Sequence, residues 1–268
     1  LHNNRHSFPT RRSSDLGDPM TSSSEVGWRS AAYQQRFGTP TETFAAITVK
    51  SRRHAAANPY AVFRQPTSLE EGMGSPHVYV PLTRLQCCPP TCGAAAAVVT
   101  SADFARRRGL RVDVRIAAQA MATDTGSSFE GDMMRLVGYD MTRAAARQVY
   151  EAAGVDPLDV RVVELHDCFT ANELISYEAL GLTAEGTAEK FVADGDNTYG
   201  GRCVTNPSGG LLSKGHPLGA TGLAQCAELT WQLRGEAGDR QVEGVSLALQ
   251  HNIGLGGAAV VTLYEKAS

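Results

Sequence analysis

Three histidines and one cysteine occupy positions from which they could carry acid–base chemistry. His166 directly follows a predicted strand at residues 160–165, and Cys168 comes two residues later. His251 directly follows another predicted strand, and His216 lies in a glycine-rich loop before a predicted helix. In α/β sheets, ligands meet the protein at the carboxyl ends of strands, where loops converge. We therefore expect the three imidazoles and the thiol to share one site.

The first motif, residues 166–169 (His-Asp-Cys-Phe), places a thiol beside an imidazole. A cysteine reacts as its thiolate, and a nearby imidazole can tune that ionisation. From the tetrapeptide alone, an ordinary buried cysteine beside a helix-capping Asp167 is the simpler explanation, because adjacent side chains point in different directions.

The second motif spans residues 206–222, where closely spaced glycines frame His216. Glycine lets backbone and substrate approach closely, and the N-terminus of the next helix offers N–H groups to an oxyanion or a phosphate. No Gly-Lys-Ser/Thr ends the segment, so it is not a P-loop. A glycine-rich turn with a surface histidine is the structural alternative.

The third motif, residues 251–257, joins two predicted strands. It is weak evidence for a dinucleotide site, because that fingerprint requires a helix after the glycines. A glycine-rich hairpin explains the glycines well. It explains His251 less well, since this residue is a titratable group at the mouth of the same sheet.

Composition excludes several classes of function. The net charge of −3 and the pI of about 6.2 provide no basic footprint for nucleic acid. No apolar run reaches the roughly 18 residues of a membrane span. The six cysteines follow no disulfide or zinc spacing, so we predict free thiols and no metal. We expect a cytoplasmic protein, or a peroxisomal one in a eukaryote, although the chain ends without a Ser-Lys-Leu address.

Strands alternate with helices, which predicts a layered α/β fold.

Residues 1–16 resemble translated adapter sequence, and we exclude them as a non-native tail. The periodicity predicts helices at residues 28–37, 41–57, 101–108, 142–153, 171–180 and 220–234, with Thr142 as a cap. It predicts strands at residues 93–100, 112–120, 160–165, 245–250 and 258–264.

Taken together, the motifs resemble thiolases. The loop at Gly215 and His216 resembles the family's histidine loop, and residues 93–96 resemble the end of its first domain. The motifs at residues 166–169 and 251–254 resemble those of sterol-carrier-protein thiolases, where they replace an Asn-Glu-Ala-Phe and a Cys-x-Gly motif. The resemblance covers roughly residues 20 to 265.

The resemblance implies a layered αβαβα fold with a truncated N-terminal domain at residues 17–110 and a complete C-terminal domain at residues 111–268. It implies an acyl-CoA C-acyltransferase of lipid or sterol side-chain metabolism, which cleaves 3-oxoacyl-CoA or runs the reverse Claisen condensation. Coenzyme A would be a substrate, with no other cofactor. The full-length protein would form a homodimer.

The resemblance also implies roles for the site residues. His216 would activate the nucleophile and bind the thioester oxygen, and His166 would position an oxyanion-hole water. Cys168 would be the acid–base thiol, assisted by His251. The residues expected to contact substrate are Asn206, Ser213, Gly215, Gly254, Gly256 and Gly257.

Two departures from the family pattern matter. The Cys-x-Ser motif that carries the family's nucleophile does not occur in this sequence, and Cys92 stands where relatives commonly have Asp. We therefore expect an incomplete active site in this chain. Two alternatives stay open: a non-catalytic thiolase-like protein that binds or transfers acyl-CoA or lipid, and a hydrolase that uses Cys168.

Overall fold

The computed structural model describes residues 22–129, 133–254 and 257–267, so the predicted non-native tail lies outside the described residues. The helices are α1 Ser22–Phe37, α2 Thr41–Ala56, α3 Leu69–Gly74, α4 Ala102–Arg107, α5 Met133–Leu136, α6 Tyr139–Ala153, α7 Thr170–Ala179, α8 Ala188–Ala193, α9 Gly210–Ser213 and α10 Thr221–Arg234. The strands are β1 His77–Tyr79, β2 Leu82–Thr83, β3 Val114–Thr123, β4 Val162–Glu164, β5 Val204–Thr205, β6 Leu247–Gly254 and β7 Ala258–Lys266.

The main sheet has five strands in the order β3-β7-β6-β4-β5. Strands β3, β7 and β6 pair antiparallel, whereas β4 pairs parallel with both β5 and β6. The parallel strands end at the same edge of the sheet, so the loops after them meet there. This edge receives the residues that follow β4 and β5.

Both faces of the sheet are covered by helices. Neighbouring residues of one strand point to opposite faces, and Val162 and Val163 of β4 accordingly belong to two different hydrophobic clusters. The cluster around Val163 includes side chains of α6 and α7, and the cluster around Val162 includes Leu229 and Leu233 of α10. The result is the predicted layered α/β arrangement, with α6 and α7 on one face and α10 on the other.

Helix α2 packs into the same core from an early part of the chain. Phe44 and Ile47 are buried in the cluster that contains the α7 residues. Lys50 is also buried, and its ammonium pairs with the carboxylate of Glu173 in α7 and donates to the carbonyl of Thr205 at 3.3 Å. A desolvated charge needs such partners, so this pair links α2 to the sheet layer.

The strand predicted at residues 93–100 is wrong. The structure has no strand there, and Val98 and Val99 are 93% and 73% exposed. A strand requires neighbours for its N–H and C=O groups, and none of the strands within the described ranges pairs with this segment. The stretch at residues 58–82, for which the periodicity predicts neither helix nor strand, includes the short helix α3 and strand β1.

Two details of the predicted elements also need correction. Helix α6 begins at Tyr139, after Gly138 in a left-handed conformation, so Thr142 lies inside the helix instead of capping it. A Cβ at Gly138 would lie 2.4 Å from the side chain of Ile253, which explains the glycine. Strand β6 continues to Gly254, so His251 lies within the strand and does not follow it.

Among the described helices, none is both long and apolar enough to cross a bilayer.

We expect the Lys50–Glu173 pair to dominate the stability of the α2–α7 contact. Replacing Lys50 with Met would leave the Glu173 carboxylate buried without its cation and lower the free energy of unfolding by about 3–5 kcal/mol. Urea denaturation measures this cost. Lys190→Met is the control, because Lys190 pairs with Asp194 at the surface and its loss should leave stability nearly unchanged. Equal costs for both variants would contradict the prediction.

Candidate active site

His166 and His216 come into direct contact at the carboxyl edge of the sheet. Their rings meet edge to face, with centroids 4.9 Å apart and planes at 90°. His166 follows the buried strand β4, and its side chain is almost fully buried. His216 comes from the loop before α10 and is partly exposed. Two residues 50 positions apart in sequence are thereby joined, as the motifs predicted.

The loop holds His216 in one orientation. Its backbone N–H donates to Thr91 Oγ1 at 2.7 Å, and its Nδ1 lies 2.8 Å from Thr221 Oγ1. The Thr221 hydroxyl donates its single hydrogen to the carbonyl of Pro217 at 3.1 Å, so it accepts from Nδ1–H of His216. This tautomer leaves a lone pair on Nε2. The ring is therefore arranged as a base.

Gly215 is required by the shape of this loop. Its φ is +114°, where residues with side chains are strained. A Cβ at this position would also lie 3.1 Å from the side chain of Thr91 and 3.2 Å from that of Val62. The glycine thus allows the loop to pack against the segment that carries Thr91, which in turn binds the His216 backbone.

His251 stands behind this pair, in strand β6. Its Nε2 lies 3.1 Å from Thr142 Oγ1 of helix α6, and its Nδ1 has no hydrogen-bond partner among the described residues. His251 lies within electrostatic range of His166, because a positive charge on His251 would lower the pKa of His166. Thr142 is a site residue that the sequence analysis missed, because 109 positions separate it from His251.

All three imidazoles are neutral at physiological pH. Burial is the largest cause in each case, since it disfavours the charged form. The pKa of His166 falls to about 3, with His216 and His251 contributing after burial, and the pKa of His251 also falls to about 3. The pKa of His216 falls to about 4 through burial and then the charge of Lys214. A neutral imidazole keeps a lone pair that can accept a proton.

Cys168 lies at the entrance to helix α7. It is 9% exposed, and its sulfur accepts a hydrogen bond from Asn172 Nδ2 at 3.5 Å. Cys168 precedes α7, and Phe169 between them is extended, so the spacing rule for residues within a helix does not predict this contact.

Two buried carboxylates attach the glycine-rich loop to strand β4. Glu164 accepts from the backbone N–H of Ser208 at 2.9 Å and from its hydroxyl at 2.8 Å. Asp167 accepts from the backbone N–H of Leu211 at 2.7 Å. Burial, partly offset by Lys214, raises the pKa of Glu164 to about 7, and burial followed by the charge of Glu173 raises the pKa of Asp167 well above its usual value. The sequence analysis did not single out Glu164.

The residues predicted to contact substrate lie in different environments. Asn206 is buried, and its Oδ1 accepts from the backbone N–H of Leu165 at 2.8 Å. Ser213 is buried with a hydroxyl that has no partner among the described residues. Gly254 ends β6, and Gly257 packs against Asp124, whereas Gly256 lies outside the described residues. Their role in binding stays a prediction.

The pH dependence of stability tests the burial of His251. Its pKa is about 3 in the folded chain, against 6.5 as its ordinary value, so between these values only the unfolded chain takes up the proton. His251 therefore opposes folding increasingly as the pH falls through this window. From pH 6 to pH 4, wild type should lose about 1.4 kcal/mol more stability per pH unit than His251→Gln. Urea denaturation at several pH values measures the difference.

The exposed His77 provides the control for this experiment. His77→Gln makes the same substitution at the surface on β1, so it controls for the loss of an imidazole away from the site. Parallel curves for wild type and His251→Gln would show that His251 titrates normally in the folded chain.

Comparisons with known proteins agree with this architecture. The family model described as thiolase C-terminal domain-like matches residues 122–265. Sterol carrier protein 2 of Rattus norvegicus is 58% identical over 235 residues, which are 87% of this chain and 43% of that protein. The benzoylsuccinyl-CoA thiolase subunit BbsB of Thauera aromatica is 42% identical over 241 residues, covering 90% of this chain and 62% of that protein.

A solved structure shares the fold over nearly the whole chain. The Ltp2-ChsH2(DUF35) aldolase superposes with a TM-score of 0.79 and 26% identity, covering 94% of this chain and 64% of that one. The present chain spans less than half the length of the sterol carrier protein 2 relatives that it matches. Because the family model matches more than half of the chain and the relatives include sterol carrier protein 2 at 58% identity, the chain belongs to the thiolase family, in its SCP2-type subgroup.

Proposed function

We propose that this chain supplies the proton-transfer half of a thiolase active site in lipid or sterol side-chain metabolism. The reaction would be the cleavage of 3-oxoacyl-CoA by coenzyme A, or the reverse Claisen condensation. The observation that carries the proposal is the contact of His166 with His216, with His251 within electrostatic range and Cys168 two residues away in the chain.

His216 would act as the base for the attacking thiol. Its Nε2 carries the lone pair, because Nδ1 donates to Thr221. In thiolysis, a cysteine thiolate attacks the 3-oxo carbon, and the bond between C2 and C3 then breaks. The attacking cysteine belongs to the Cys-x-Ser motif in thiolases, which this sequence does not contain. His216 would take the proton of that thiol and donate it back after transfer.

Cys168 would handle the second proton. Breaking the C2–C3 bond leaves a carbanion on the departing acyl-CoA, and the Cys168 thiol would protonate it. The incoming coenzyme A thiol would return a proton to Cys168 as it accepts the acyl group. Asn172 holds the Cys168 sulfur at 3.5 Å and would stabilise its thiolate form between the two steps.

His166 would contribute to the oxyanion hole. Its Nδ1 is buried and has no hydrogen-bond partner among the described residues. A water that donates one hydrogen to this nitrogen could donate the other to the thioester oxygen, whose charge grows in the transition state. The resemblance to thiolases implies the same role, because His166 stands where the Asn-Glu-Ala-Phe motif of ordinary thiolases has its Asn.

A non-catalytic role in lipid binding or transfer is the second candidate. It is favoured by the similarity to proteins named sterol carrier protein 2, which reaches 58% identity. The lowered pKa values of the three imidazoles favour catalysis, because perturbed pKa values cluster at functional sites. A Cys168 hydrolase is the third possibility, and it would release free acid without coenzyme A.

The catalytic proposal is tested by Cys168→Ala and His216→Ala in the protein completed with the remainder of a thiolase chain. We expect each variant to lower kcat by about 10²–10⁴, the usual contribution of a general acid or base. The assay follows loss of 3-oxoacyl-CoA with and without coenzyme A. His77→Ala is the matched control, since His77 is exposed on β1.

Three outcomes separate the candidates. A thiolase consumes coenzyme A in proportion to substrate, and a hydrolase does not require it. Lipid transfer between vesicles without turnover, unchanged in Cys168→Ala, would support the carrier. Near-normal thiolysis by both variants would show that the assigned roles are wrong.

A further inference from the structure

A cysteine-containing segment, residues 87–92, lies across the candidate site. Cys87 forms an antiparallel bridge with Phe169, and Pro90 forms a parallel bridge with His216. Thr91 binds the His216 backbone at 2.7 Å. The segment therefore contacts both the Cys168 turn and the His216 loop.

The register of this bridge places Cys88 opposite Cys168. The pairing of Cys87 with Phe169 runs antiparallel, so the next residue on one side faces the preceding residue on the other. The Cys88 N–H donates to the Cys168 carbonyl at 2.8 Å, as this register requires. Side chains of directly opposed residues lie on the same face. The backbones of Cys88 and Cys168 are thus neighbours across the pair.

The spacing suits a disulfide. Opposed residues joined by such a hydrogen bond have Cα atoms about 5.5 Å apart, and disulfides join Cα atoms about 4.4–6.8 Å apart. The backbone spacing therefore permits a bond between the two sulfurs. Cys88 is partly exposed, so a small oxidant can reach this side of the pair.

The adjacent Cys87 faces the other way. Its thiol donates to the carbonyl of Thr83 at 3.4 Å. Successive residues of an extended segment alternate between faces, so the Cys87 and Cys88 thiols lie on opposite sides. The Asp167 charge acts on the Cys88 thiol, so this thiol lies within electrostatic range of the site. The chain thus contains its own control cysteine.

We propose that Cys88 and Cys168 form a reversible disulfide that takes the site thiol out of use under oxidising conditions. Glutathione disulfide is a sufficient oxidant. One protein thiolate attacks it and expels glutathione, and the other protein thiol then displaces the second glutathione from the mixed disulfide. Two electrons and two thiol hydrogens pass to glutathione disulfide, which leaves as two glutathione thiols. Excess reduced glutathione reverses the exchange.

The formation of this bond does not depend on the proposed thiolase activity, although its effect on catalysis does. Burial is the main cause that raises the pKa of Cys88 to about 12, followed by the Asp167 charge. Its thiolate is therefore scarce at neutral pH, and oxidation should accelerate as the pH rises. We therefore expect the Cys88–Cys168 disulfide to form slowly at neutral pH.

The experiment treats the native chain with glutathione disulfide, alkylates the remaining thiols with iodoacetamide and maps the peptides by mass spectrometry. We expect a peptide pair linked through Cys88 and Cys168, with both residues lost from the alkylated set. Cys87→Ser should form the same link. Cys88→Ser and Cys88→Ala should not form it and should keep Cys168 alkylatable, with circular dichroism confirming that the variants are folded.

The outcomes have distinct meanings. Absence of the 88–168 link in oxidised native chain, or links shared equally between Cys87 and Cys88, would overturn the disulfide proposal. A link that forms while the completed protein shows no thiolysis would leave the disulfide standing and contradict the proposed function. Loss of thiolysis on oxidation that Cys88→Ser prevents would support both.

Discussion

The arrangement of the site depends on the burial of polar groups at the carboxyl edge of strand β4. This strand pairs in parallel with β5 and β6, so the residues after it enter a region closed by loops from its neighbours. Glu164 and Asp167 are fully buried there, and each binds a backbone N–H of the glycine-rich loop. A buried polar atom without a partner costs free energy. The carboxylates therefore hold the loop, and the loop in turn presents His216.

The same burial sets the chemistry of the imidazoles. Water stabilises the charged form of a histidine. Burial removes that water and lowers the pKa of His166 and His251 to about 3. The rings therefore stay neutral at physiological pH. The partners that set orientation come from helices on different sides of the site: Thr221 of α10 for His216 and Thr142 of α6 for His251. Packing of the layers thus fixes the geometry of proton transfer.

The cysteine-containing segment at residues 87–92 positions the His216 loop and also carries the cysteine of the proposed disulfide. Thr91 binds the backbone of His216, while Cys88 stands opposite Cys168. One short segment thereby contacts both halves of the candidate site. A redox change in it would act on the thiol directly, without a change in the sheet.

The sequence by itself determined the alternation of strands and helices and the motifs that indicate a thiolase, because local periodicity and glycine chemistry act over short distances. It also placed His166 at the end of β4 and His216 before α10. Tertiary structure alone decided that His251 lies within β6 and pairs with Thr142, and that Glu164 binds Ser208, because these contacts join residues far apart in the chain. It also decided that residues 93–100 form no strand, since β structure depends on the neighbours available for pairing.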